Sequence, residues 1–145
     1  MPNTQAIGVA YADPEFQSVD VSGAVSAASV SASTVTASGS LVIKSATVAA
    51  TGSDQAGAAA LAAGFTLVSA ADGTKGVRLP AASAGLVVII KNGDAANAIL
   101  KVYPASGDAI NAITADGAYS MAAKTSMLLV AYDSTTWYTV PLLAS

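Results

Sequence analysis

The sequence predicts a mainly β protein: a small antiparallel β-sandwich or barrel-like domain with one short helix and an extended N-terminal arm. Three observations carry this. Eight short apolar runs recur through the second half of the 145-residue chain, at spacings of about 8–12 residues, as in sandwiches and barrels. Turn signals separate them, at Asp72-Gly73, Asn92-Gly93-Asp94, Ser106-Gly107-Asp108, Asp116-Gly117 and Asp133-Ser134; each supplies the small polar or glycine residues that tight turns need. One alanine-rich stretch, residues 53–64, has a helix-forming composition between a cap and a glycine.

Taken in order, residues 1–20 read as the extended arm. Pro2 and Pro14 break any helix, and Asp13-Pro14 favours an extended or turn conformation. The alternation of Ile7, Val9 and Tyr11 puts three apolar side chains on one strand face. Residues 21–52 are Ala/Ser/Val/Thr-rich. Such tracts serve as flexible linkers, yet valine and threonine favour strands, so linker and strand both stand for this segment. Within it, Leu41-Val42-Ile43 follows the turn signal Ser38-Gly39-Ser40 and reads as a short strand.

The helix is expected next. Ser53 or Asp54 caps its start, 56–63 favours it apart from Gly57, and Gly64 supplies the left-handed C-terminal residue. At about ten residues it needs a sheet to pack on. The β domain, 53–145, then holds candidate strands at 65–70, 75–79, 86–91, 99–103, 109–113, 118–121, 125–132 and 137–142. Leu86, Val88 and Ile90 share one strand face and Val87 and Ile89 the other; with both faces apolar, this strand is expected at the centre of its sheet, as is Met127-Leu128-Leu129-Val130. Tyr103, Tyr119, Tyr132, Trp137 and Tyr138 are expected to dominate the core by their size.

Composition excludes much chemistry. There is no histidine and no cysteine, which removes imidazole-based acid–base catalysis, Ser-His-Asp and Cys-His nucleophiles, thiolate and imidazole zinc sites and disulfides. Six basic residues and a net charge of −3 make no phosphate-tracking patch, so no nucleic-acid partner is expected. The start has neither a basic nor an apolar region and does not read as a signal peptide. Residues 21–43 carry no charge, but nine Ser or Thr and two Gly are too polar for a membrane span.

Candidate sites are few. Asp72-Gly73-Thr74-Lys75-Gly76 lacks phosphate-loop spacing and reads as a hairpin turn. Asp94, Asp108, Asp116 and Asp133 each sit at a turn, where an aspartate bonds its own backbone, and none lies close to another in sequence. No enzyme, cofactor or metal is expected. Lys75 and Arg78 are solvated or ion-paired structural residues, or else contacts at a subunit interface. Trp137, Tyr138 and Tyr103 read as core residues first and as sugar-stacking platforms second. Charged residues are only 10% of the chain against 53% hydrophobic. Since interface cores are depleted of charge, this points to a subunit of something larger.

The second half also carries a resemblance. Gly76-Val77-Arg78-Leu79-Pro80, then Val87-Val88-Ile89-Ile90-Lys91-Asn92, then Ala98-Ile99-Leu100-Lys101-Val102-Tyr103-Pro104-Ala105, then Gly107-Asp108-Ala109-Ile110-Asn111, and last Trp137-Tyr138 resemble a module of tailed-bacteriophage virion proteins. The opening, from Ala6 to Pro14, resembles the start of small phage head proteins. The resemblance implies a capsid decoration, or cement, protein: a homotrimer on the outer surface of the virion capsid, bound to the major capsid protein. Ile7, Val9, Tyr11 and Phe16 would then be the arm's anchors. A head-fibre or tail-appendage subunit is the alternative, and a carbohydrate- or receptor-binding module the third.

Overall fold

The computed structural model describes residues 22–27, 29–62 and 64–141. The arm positions Ile7, Val9, Tyr11 and Phe16 lie outside the described residues. The chain divides into two units, before and after Gly39. In the first, the described residues from 22 onward form no strand and are exposed.

In the second unit the described residues form ten strands: β1 (Ser45–Ala49), β2 (Ala59–Ala60), β3 (Gly64–Ser69), β4 (Gly76–Arg78), β5 (Val87–Asn92), β6 (Leu100–Tyr103), β7 (Ala109–Ile110), β8 (Tyr119–Met121), β9 (Ser126–Ala131) and β10 (Thr136–Val140). One sheet has the order β1-β3-β5-β9-β10-β7 and the other β2-β4-β6-β8. The protein is mainly β, and each of the eight strands expected after residue 64 has its counterpart. β5 and β9 lie inside the larger sheet, as their two apolar faces require.

The expected antiparallel sandwich or barrel is corrected. From β1 to β9 successive strands alternate between the sheets, so most turn signals are corners that carry the chain from one sheet to the other, not hairpins. The Asp72-Gly73 turn, read as a hairpin, joins β3 of one sheet to β4 of the other. Neighbours within a sheet are therefore two strands apart in sequence and run parallel: β1 with β3, β3 with β5, β2 with β4 and β4 with β6. This is a solenoid-like path. Antiparallel β8 and β9 close its later end on β6 and β5, and among the described strands only β9 and β10, across Asp133-Ser134, are sequence neighbours paired in one sheet.

The expected helix is also absent among the described residues. Residues 53–58 make a turn, with the Asp54 carboxylate accepting the Gly57 N–H at 2.7 Å and the Asp54 carbonyl accepting the Ala58 N–H at 3.0 Å. The alanines that follow pair as β2 with β4, and the Leu61 N–H donates to the Arg78 carbonyl at 2.8 Å. Sheet pairing outweighs helix propensity in so short a segment. Leu41-Val42-Ile43 is exposed and unpaired, and the strand forms two residues later at Ser45.

One core lies between the sheets. The larger sheet gives it Val68, Val88, Ile90, Leu129 and Trp137, and the smaller Val77, Leu100, Val102 and Met121. The expected aromatic core is corrected: of the five aromatics only Trp137 is fully buried, and Tyr132 is 74% exposed. Parallel neighbours stack matching positions in rows, and interlocking aliphatic residues fill those rows.

Candidate functional site

Strand alternation gives the two sheets unlike outer faces. On the larger sheet Val88, Ile90, Leu129 and Trp137 point inward, so Val87, Ile89, Leu128, Val130, Tyr138 and Val140 point outward. The registers align the outward residues in two rows across the strands: Phe65–Ile89–Leu128–Val140 and Val87–Val130–Tyr138. Leu67 extends the apolar area, and the exposed Tyr132 ring meets Tyr138 edge-on with centroids 6.0 Å apart. Lys91 is the one charged side chain at these outward strand positions, and its ammonium donates to the Lys124 carbonyl. Val87, Tyr138 and Val140 are 40–52% exposed.

The smaller sheet's outer face is polar. Arg78 Nη1 donates to the Gln55 carbonyl at 3.2 Å, and Lys101 Nζ donates to Ser120 Oγ at 2.9 Å. The Tyr103 ring lies over Gly76, where a Cβ would come within 2.7 Å of it, and its hydroxyl donates to the Ser53 carbonyl at 3.0 Å. Gln55 Nε2 donates to the Pro104 carbonyl and to Asp116 Oδ1 at 3.0 and 2.9 Å. Lys75 pairs with Asp72 at 3.2 Å, both partly exposed. Both cations singled out from the sequence thus engage their own chain. They sit close together in sequence and apart from the apolar face.

Asp133 and Asp94 bond nearby backbone as expected, Asp94 Oδ2 accepting the Ala98 N–H at 3.1 Å, whereas Asp108 and Asp116 reach partners far along the chain. Asp72 Oδ1 accepts the N–H groups of Lys75 and Thr74 and the Thr74 hydroxyl, and Asp133 Oδ1 those of Thr135 and Thr136. These bonds hold both carboxyls below the ordinary Asp value. Gln55 and the Gly107 N–H do the same for Asp116. Asp108 reaches further: its Oδ2 accepts the buried Ala82 N–H at 2.8 Å. Among the described residues no group of three or more acidic side chains could hold a metal, and no helix is long and apolar enough to cross a membrane.

Sequence reasoning missed the polar staples. Asn92 is fully buried, donates to the Ala98 and Ala122 carbonyls at 3.0 and 3.3 Å, and accepts the Asp94 N–H. Asn111 Oδ1 accepts the Thr139 N–H at 3.0 Å and ties the β7 end to β10. An amide ending an otherwise apolar run, as in Ile90-Lys91-Asn92, was the available signal. Asn92, Asp108 and Asn111 all fall in the strings that carry the virion resemblance. Trp137 is buried with its indole N–H unpartnered among the described residues, so it offers no stacking platform. Tyr119, Met121 and Met127 line a shallow groove of about 290 Å³, small for a ligand pocket.

No family model, curated protein or solved structure matches this chain.

Proposed function

We propose that the chain is a structural subunit of a tailed-bacteriophage virion, a decoration or cement protein that binds the capsid's outer surface and acts without catalysis. The observation that carries this reading is the outer face of the six-stranded sheet, an apolar area across β3, β5, β9 and β10 with Lys91 as its one charged strand position. Monomeric proteins rarely leave a contiguous apolar patch of more than roughly a few hundred Å² uncovered. A clamp needs contact area, and this face supplies it. The strings from Gly76 to Tyr138 that resemble a virion module support the same reading, and so does a chain with only 10% charged residues.

In this reading the major capsid protein covers the apolar face, subunits join as a homotrimer, and residues 1–20 add an arm anchored by Ile7, Val9, Tyr11 and Phe16. Many copies acting together make modest single-site affinity sufficient. Purified particles stripped of the protein and incubated with it should regain it on sedimentation. Val87→Asp with Tyr138→Asp should weaken that rebinding by about tenfold or more, since buried anchors carry most interface energy. Undiminished rebinding would refute the assigned face.

One observation favours a head-fibre or tail-appendage subunit as the second reading. Among the described residues the solenoid-like path is closed by antiparallel strands at its later end and has no strand beyond β1 at its start, as suits the tip of a longer assembly.

A further inference from the structure

Each sheet has two edges, and three of the four edge strands are short: β7 and β2 have two residues and β8 three. Shortness is one of the devices that blunt an edge against unwanted pairing. β1 is the exception. It has five residues, Ser45–Ala49, with no charge and no proline, and among the described residues it pairs with β3 alone. Its bonds to β3 include the Lys44 carbonyl accepting the Phe65 N–H and the Ala50 N–H donating to the Ser69 carbonyl. In a parallel ladder alternate residues face the same neighbour. Lys44, Ala46, Val48 and Ala50 therefore face β3, and Ser45, Thr47 and Ala49 turn their backbone N–H and C=O groups to the open side.

A second observation is independent of the first. Val25, Val30, Val35, Leu41 and Val42 are 67–87% exposed and Ile43 is 46% exposed, on a tract whose described residues pair in neither sheet. Both its backbone and its large apolar side chains lack the cover that strand pairing provides. Its length matches the fold: one turn of the path, from Ser45 to its neighbour Phe65, takes about 20 residues, a common solenoid repeat, and the tract 22–43 is of that size.

We propose that β1 is an acceptor edge for a second copy of this chain, whose 22–43 tract lies along Ser45–Ala49 as the next strand of the six-stranded sheet. Main-chain bonds give such strand addition its affinity, and exchange of one element between identical chains is a low-cost route to an oligomer. The inference stands apart from the virion reading: an exchanged oligomer that ignored capsids would keep it and refute the other.

Sedimentation of the full chain should give a multiple of the 14.1 kDa of one chain. Thr47→Pro removes an N–H that faces the open side and spares the bonds to β3; it should yield monomer. Val25→Asp, Val30→Asp and Val35→Asp together should also yield monomer. Mixing the two variants should restore a complex, since one keeps the tract and the other the edge. Should the proline variant fail to fold, hydrogen exchange on the unaltered chain decides: the Ser45, Thr47 and Ala49 amides should be protected in the oligomer. A monomeric parent, an oligomer that survives either change, a mixture that stays monomeric, or free exchange at those amides overturns the proposal.

Discussion

Asp108 shows how a single residue holds this fold. It precedes β7, and its buried carboxylate accepts the Ala82 N–H from the loop between β4 and β5. Asp108→Ala leaves that buried donor without an acceptor, which costs about 1–3 kcal/mol. Urea unfolding should show the loss, and Asp108→Asn, which keeps an acceptor oxygen, should lose less. The exposed turn aspartates act through pH instead. Hydrogen bonds from Lys75 and Thr74 hold the Asp72 carboxyl below its ordinary 3.8, and Asp116 and Asp133 are lowered likewise. A carboxyl lowered on folding contributes stability that is present above its unfolded value and lost as pH falls toward its folded value. The urea midpoint should therefore drop below pH 3.8, and replacing all three by Asn should flatten that drop while lowering the midpoint at neutral pH. The turn chemistry of Asp72 and Asp133 was legible because their partners lie two or three residues away; those of Asp116 lie 9 and 61 residues away. The Asp108 bond spans 26 residues, and no local pattern encodes it.

At the scale of elements, the docking of β1 on β3 depends on Gly64. Its φ is +108°, and a Cβ there would stand 2.4 Å from the Lys44 carbonyl oxygen, the acceptor of the first β1–β3 bond. Gly64→Ala should destabilise by more than about 1 kcal/mol, and hydrogen exchange should place the loss in β1 and β3 before β9 and β10. Exchange that rises equally in every strand would mean β1 is not a separable element. The glycine was legible as left-handed, but in a helix cap, not at the head of a strand. Strand positions after residue 64 were legible because short apolar runs such as Val87 to Ile90 and Met127 to Ala131 stand between turn signals in the sequence itself. Pairing was not legible. The same Asp-Gly and Asn-Gly turns serve hairpins and corners alike, and whether Asp72-Gly73 returns the chain to its own sheet depends on which strands lie across the core. The alanines of β2 mislead for a related reason: alanine favours a helix until an edge such as Gly76–Arg78 offers pairing.

At the scale of the whole molecule, the scarcity of charge was plain in the composition and its placement was not. The structure collects the cations Arg78 and Lys101 on one outer face and leaves the opposite face apolar, from Phe65 to Val140. Sequence alone assigned Tyr132 and Tyr138 to the core because of their size; Tyr132 follows β9 and is exposed, and register puts Tyr138 outside, where it continues the apolar row from Val87 and Val130. Among the described residues an apolar face on one side and the strand edge at β1 are left uncovered. Both fit a molecule completed by neighbours. On the proposed reading those neighbours belong to a phage particle. Electron cryo-microscopy of intact particles, with this protein carrying a compact label, tests it most directly. Labelled density is expected on the outer shell, with the six-stranded sheet turned toward the coat protein. Particles that carry no label, from cells in which the labelled protein is abundant and free, would contradict it.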